Sequence, residues 1–454
     1  MSHKNSHSID MVNGPLFKNL FIFAVPLMFT NFLQMLFNAA DTIVVGKFAG
    51  QTALAAVGAT GSIVFLLTAV FNGLSIGSNV LIAKLIGSKD DHRVKKAVHT
   101  SLGIGLLGGI LMIIIGFLAS PYLLEMMSTP SDIIDLSTLY MRIYFMGSIF
   151  LLVYNFGSAV LRSKGDTKRP LYFLMISGIL NVVLNLVFVI GFQMSVAGVA
   201  FATVISQGVS AILVVRTLLF ENDATRLYFK EIKIDRHMCL EIMKIGIPAG
   251  IQGMVFSVSN VVIQSSINSF DSSVIVAGNS AGANIENFVY IGMMAFTQAT
   301  ITFTSQNIGA KNYGAIKKIL YSTLFLTCIS GFAVGFLVFI FGNFSLGLYT
   351  NDAKVIEVGL IRLGYVALWL WMNGFLDVYV SSMRGMGYST LPTIIMILGI
   401  CGVRLLWIWL VVPYMHTLEA IYFCYPLSWL LTSLVQAILW HRTYKHMMQA
   451  KKHW

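Results

Sequence analysis

The chain has 454 residues, 57% of them hydrophobic and only 11% charged, with a formal net charge of +11 and a mean hydropathy of +0.79. A water-soluble fold of this size needs far more polar residues to cover its surface, so the composition excludes one and points to a bilayer. The basic excess does not point to nucleic acid, because the aromatic residues lie in the apolar runs and not among the lysines and arginines.

Twelve apolar runs are long enough to cross a hydrocarbon core as helices: residues 17–45, 53–83, 94–120, 138–161, 171–190, 196–216, 243–268, 280–305, 318–341, 358–383, 392–412 and 419–440. Barrel strands would be shorter and would alternate in polarity. The expected fold is therefore an all-α polytopic membrane protein with twelve transmembrane helices. Residues 1–16 are polar and lead into a full-length span, so no cleavable leader is expected. With the N-terminus inside, the inward segments carry most of the 30 Lys and Arg residues, and the outward loops carry only Lys47 and Lys354. This bias places both termini in the cytoplasm, with the basic tail from His441 to Trp454 against anionic headgroups.

In chain order, the first span carries Pro26, which kinks a helix, and then Asn31, Gln34, Asn38 and Asp41. Steps of three, four and three put these polar residues on one face. In the third span Gly103, Gly105 and Gly108 imitate a dinucleotide fingerprint, but no strand precedes them. Ser101, Gly105 and Gly109 make better sense as a close packing face. Asn181 and Asn185 pair on the fifth span. The polar stretch 217–242 is the natural linker between two halves, giving domains 1–222, a linker 223–241, and 242–454. The seventh span carries Pro248 and then Ser257, Asn260, Gln264 and Asn268 on one face. On the eighth, Glu286, Tyr290, Met294 and Gln298 share a face, and on the tenth Asn373, Asp377 and Ser381 align. Arg404 is a cation within the eleventh span, either neutralising Asp377 or bracing its lobe.

The two halves are one unit written twice. At a spacing of 222 positions Pro26 matches Pro248, Asn38 matches Asn260, Gly87 matches Gly309 and Lys89 matches Lys311. Lys95 and Lys96 match Lys317 and Lys318, Arg162 matches Arg384, Gly165 matches Gly387, and Pro170 matches Pro392. Six spans per half is an even number, so the repeats are parallel, forming two six-helix pseudo-symmetric lobes with a site expected between them.

Three acids fall within spans: Asp41, Glu286 and Asp377. Each costs about 2.5–3.5 kcal/mol at mid-membrane, so each is expected to face a cavity or a partner. The charges break the repeat, since Asp41 is matched by Ile263, Glu286 by Val64, Asp377 by Asn155 and Arg404 by Val182. Soft and aromatic residues near the acids (Met293, Trp369, Trp371, Met372) suit flat organic cations. The four cysteines are scattered, and neither a metal site nor a disulfide is expected. No Walker sequence is present and no catalytic constellation supports an enzyme.

The loops from Arg162 to Pro170 and from Arg384 to Pro392, the sequences from Gly282 to Asn287 and from Gln306 to Gly309, and Pro26 with Asp41 together resemble the multidrug and toxic compound extrusion (MATE) transporters. The resemblance covers essentially the whole chain. It implies two six-helix lobes, a central cleft, and export of organic cations coupled to entry of H+ or Na+. The chain departs from the family pattern at Asn185, where an aspartate is common, and in lacking an acid on the seventh helix. The resulting expectation is a secondary antiporter of the cell membrane, acting as a monomer, with no cofactor beyond its coupling ion. Asp41, Asn38, Gln34, Asn181 and Asn185 are expected to hold the coupling cation. Asp377, Glu286, Asn373, Asn260, Gln264, Tyr290, Met294 and Gln298 are expected to bind substrate. The alternatives are a flippase of lipid-linked sugars, which would want a cationic cavity, and a non-transporting receptor, which would want a sizeable soluble domain or a long partner-binding loop.

Overall fold

The computed structural model describes residues 8–127 and 129–452, the last three of these without their side chains. His453, Trp454 and the side chains of Lys451 and Lys452, part of the expected basic tail, lie outside the described residues, as do residues 1–7. Among the described residues the regular structure is helical. In lipid, only a helix satisfies every backbone N–H and C=O within its own segment.

The first six spans are α1 (Leu16–Ala49), α2 (Gln51–Gly87), α3 (Asp91–Met126), α4 (Ile134–Met146 continuing as Ser148–Ser163), α5 (Lys168–Gly191) and α6 (Ser195–Leu219). The second six are α7 (Arg236–Asn268), α8 (Ser273–Gly309), α9 (Tyr313–Ile340), α10 (Ala353–Gly385), α11 (Thr390–Leu410) and α12 (Leu418–Lys452). Ten are long and apolar enough by composition to cross a membrane, and α4 joins them when its two segments, bent by 46°, count as one. The twelfth, α8, has 37 residues but carries Asn279, Asn284, Glu286, Asn287 and Gln298. Its polarity reflects what it faces rather than a failure to span.

The 222-residue repeat is visible in the helix ends. Gln51 and Ser273, Asp91 and Tyr313, and Lys168 and Thr390 each begin a helix at matched positions. Lys89 and Lys311 both adopt φ 56°, and Gly165 and Gly387 both adopt φ 95°. That last angle is one glycine adopts without the Cβ penalty, which is why those two positions repeat as glycine. The break in α4 at Gly147 is matched in α10 by a break at Trp369.

The chain forms two compact units, one comprising Phe29–Gly250 and the other Met11–Met28 together with the chain from Ile251. The expected domains followed chain order, with boundaries at 222 and 242. The structure instead divides α1 after Met28 and α7 after Gly250, each two residues past the proline. The physical reason lies in the packing. Phe23 of α1 stacks edge-on against Phe303 of the second unit. Gly246 and Gly250 of α7 press on Gly73 and Val70 of α2 in the first unit, backbone against backbone.

At one end of the first unit, the loop 162–170 is clamped to the start of the linker. Lys164 Nζ lies 2.5 Å from Glu221 and 2.7 Å from Asp223, and Arg169 lies 2.6 Å from Glu221 and also pairs with Asp166. Lys164 and Glu221 are almost fully buried.

Candidate functional site

In the first unit, a cavity of about 240 Å³ opens among α1, α4, α5 and α6. Gln34, Asn38 and Asp41 of α1 line it, as do Asn155 of α4, Asn181 of α5, and Thr203 and Gln207 of α6. The side-chain amide of Asn185 donates to Asp41 and also to the Asn181 carbonyl oxygen at 3.2 Å. Asn181 in turn donates to the Thr203 hydroxyl at 3.4 Å. Of the five residues expected at the coupling site, four line one cavity and the fifth, Asn185, holds the acid from behind. Close approach of α1 and α5 makes this reach feasible, because Gly178 has no Cβ where the Phe37 ring lies. Asp41 is followed within four residues by a π-helical stretch at Val45–Ala49, and Asn185 by another at Val187–Gly191. Such wide turns leave backbone carbonyls out of the regular ladder and recur at functional sites.

The second unit holds two separate polar clusters. In one, Asp377 of α10 accepts from the Tyr290 hydroxyl of α8 at 3.4 Å and from Asn373, one turn away, at 3.3 Å. Met294 and Gln298 continue the Tyr290 face of α8 and are half-buried. Among the described residues Asp377 makes no ion pair. Arg384, whose charge it feels, donates instead to Gln252 at 2.5 Å and Thr393 at 3.2 Å.

The other cluster centres on Arg362, a cation within the expected tenth span to which no role was assigned from sequence. Its Nη2 lies 2.8 Å from Glu286 Oε2, its Nε donates to the same oxygen at 3.1 Å, and its Nη1 donates to Asn279 at 2.7 Å. Asn279 also accepts from Tyr422 at 3.0 Å and donates to Gln264 at 3.0 Å, and Gln264 donates to Asn268 at 2.8 Å. The guanidinium lies over the rings of Tyr422 and Tyr425, 5.6 and 5.5 Å from their centroids. Glu286 and Gln264, both expected among the substrate residues, are thus bound into this network and not gathered around Asp377. Asn260 is exposed on α7, outside both clusters.

Arg404 does not neutralise Asp377. Its Nε donates to Ser428 at 3.1 Å, and its guanidinium stacks 4.3 Å from the Tyr425 centroid, bracing α11 against α12. The sequence did contain a signal for Arg362, which lies inside the expected tenth span. Asn279 fell one residue before the expected start of the eighth.

The architecture is that of a twelve-helix membrane transporter built from two repeats, each with a half-buried acid held by neutral donors. A family model described as MatE matches residues 26–187 and again 248–410, one match for each repeat. The chain belongs to the MatE family of membrane transporters and is not an enzyme. It is 28% identical to the probable multidrug resistance protein YoeA of Bacillus subtilis (strain 168) over 85% of each chain. It is 24% identical to the probable multidrug resistance protein NorM of Thermotoga maritima over 86% of this chain and 84% of that one. A crystal structure of a MATE protein in complex with MaL6 superposes with a TM-score of 0.91 at 20% identity, covering 97% of this chain and 98% of that one. An outward-facing MATE family transporter of the MOP superfamily gives 0.91 at 20% identity, over 98% and 100%. At that identity the likeness shows the fold.

Proposed function

We propose that this protein is a secondary active multidrug efflux antiporter of the cell membrane, exporting organic cations in exchange for H+ or Na+ by alternating access. Both termini would lie in the cytoplasm and the monomer would be the working unit. The observation that carries the reading is that two intramembrane carboxylates, Asp41 and Asp377, accept hydrogen bonds only from neutral donors and make no ion pair among the described residues. A carboxylate kept in a membrane without a cation of its own is poised to take one from outside.

The names of the curated relatives, multidrug resistance and multidrug export proteins, support the substrate class. The roles divide by unit. Asp41, with oxygen atoms of Asn38, Asn181 and Thr203 around the same cavity, would hold the coupling cation. Its setting suits either a proton on the carboxylate or a sodium ion among side-chain oxygens. Asp377, with Tyr290 and Asn373 beside it and Met294 and Gln298 along the same helix face, would attract the substrate cation. Glu286 would not, because Arg362 already neutralises it. Inward movement of one cation releases about 2.3 kcal/mol per 100 mV, enough to drive a modest outward gradient of drug.

Ethidium efflux from cells expressing Asp41→Asn or Asp377→Asn tests the assignment. Loss of efflux in both, at normal expression, is expected. Wild-type efflux in both sinks the reading. Proteoliposomes given a sodium jump at fixed pH, or a pH jump without sodium, name the coupling ion.

A further inference from the structure

The end of the first unit that carries the linker contains a second cavity, of about 480 Å³, which shares no lining residue with the Asp41 cavity and is unused by the transport reading. Its walls are α3 and linker residues 231–236. The linker is pinned across α3 by side chains at defined distances. His99, almost fully buried, accepts from the Tyr228 N–H through Nε2 at 3.0 Å and faces the Lys95 carbonyl through Nδ1 at 2.7 Å. Thr100 donates to the Lys233 carbonyl at 3.3 Å and accepts from the Asp235 N–H at 3.1 Å.

The charge on this cavity does not cancel. Of its two acids, Glu231 is taken by Lys95 at 2.8 Å, and Asp235 caps the start of α7 by accepting from the Met238 N–H at 3.0 Å. His99 has both ring nitrogens engaged. Lys96, Lys233 and Arg236 are exposed and make no ion pair among the described residues, and His92 stands beside them. Amid these cations lies Ile234, 42% exposed, an apolar side chain between charged heads.

We propose that this cavity binds a phosphate-ester anion, with Lys96, Lys233 and Arg236 as its ligands. A guanidinium and two ammonium groups converging on one hollow match the several oxygens of a phosphate better than the two of a carboxylate. The same chemistry is offered by a phospholipid headgroup of the adjoining leaflet and by a soluble phosphate compound. Ile234 favours the lipid, whose glycerol and upper acyl carbons would lie against it.

The test is native mass spectrometry of the full chain in detergent, with phosphatidylglycerol in one arm and inorganic pyrophosphate in the other. Three proteins are compared: wild type, the triple variant Lys96→Gln/Lys233→Gln/Arg236→Gln, and the double variant Lys317→Gln/Lys318→Gln. The double variant alters the repeat mates of Lys95 and Lys96, which lie outside the cavity. Binding by the wild type in at least one arm, at least tenfold weaker in the triple variant and retained in the double variant, is expected; the responding arm names the source. No binding in either arm, undiminished binding by the triple variant, or equal loss in the double variant overturns the proposal. All three changes are at exposed side chains, so an unchanged melting temperature confirms that the triple variant is folded.

Discussion

Arg362 and Glu286, on α10 and α8 and 76 positions apart, form a largely buried ion pair with a nitrogen–oxygen distance of 2.8 Å. The pair neutralises one of the three intramembrane acids. It also ties α10 to α8 immediately before the π-helical stretch Leu363–Ala367, beyond which lies Asp377. The irregular turns are therefore anchored on one side by a charge pair and lead on the other to an acid that makes no ion pair among the described residues.

This pair predicts a stability phenotype distinct from a transport phenotype. Glu286→Gln strips the buried guanidinium of its counter-charge, which typically costs about 3–5 kcal/mol. Arg362→Met does the same to the carboxylate. The double variant Glu286→Gln/Arg362→Met is expected to recover much of the loss, because neither charge is then left alone. Thermal unfolding of the four proteins in detergent measures the coupling. If Glu286→Gln melts like wild type but abolishes efflux, Glu286 is a substrate residue and the structural role assigned to it is wrong.

Close packing of α2 against α7 makes a second prediction. A Cβ at Gly73 would lie 2.5 Å from the Gly250 nitrogen and 2.8 Å from its Cα, and would also strike the Gly246 carbonyl oxygen. Backbone cannot rotate away as a side chain would, so the helices must separate. Gly73→Ala is expected to destabilise the first unit by about 1–3 kcal/mol, the usual range for overpacking. Gly402→Ala, where nothing lies within 4 Å, is expected to melt within about 0.5 kcal/mol of wild type. Equal melting temperatures for the two variants would refute the packing argument.

The loop-to-linker clamp has a pH signature. Burial tends to raise the Asp223 carboxyl, but the Lys164 ammonium and the Thr225 donors outweigh it and hold the group below its ordinary value of 3.8. A carboxyl depressed in the folded state contributes stability that is fully present above its unfolded value and is lost as pH falls through the folded one. The melting difference between wild type and Asp223→Asn should therefore be constant from pH 8 to about pH 5 and shrink below about pH 4. Lys164→Met, which leaves the almost fully buried Glu221 with Arg169 as its remaining cation, should lower the melting temperature near neutral pH. A difference that grows on acidification would contradict the sign.

Much of the architecture was legible in the order of residues, for a reason peculiar to membranes. A backbone in hydrocarbon must satisfy its own polar groups, so apolar runs of the right length become helices with few alternatives. The repeated prolines, glycines and lysines mark helix ends because they are the residues with special backbone demands, and Gly165 and Gly387 share the same positive φ. The polar face of α1 was readable from its spacing, and Gln34, Asn38 and Asp41 do line one cavity.

Which charge meets which was not readable that way. Helical periodicity relates residues three or four apart, and it has no bearing on partners 76 positions apart, so Arg404 could stand as a candidate for Asp377 while Arg362, a cation within its own span, had no partner assigned. Packing settled it: Arg404 is drawn onto Tyr425, and Arg362 meets Glu286 between the faces of two helices. The same holds for the division of α1 after Met28 and of α7 after Gly250. Chain order assigns each helix to one half, whereas side chains such as Phe23 and Gly246 assign its two ends by what they bury against.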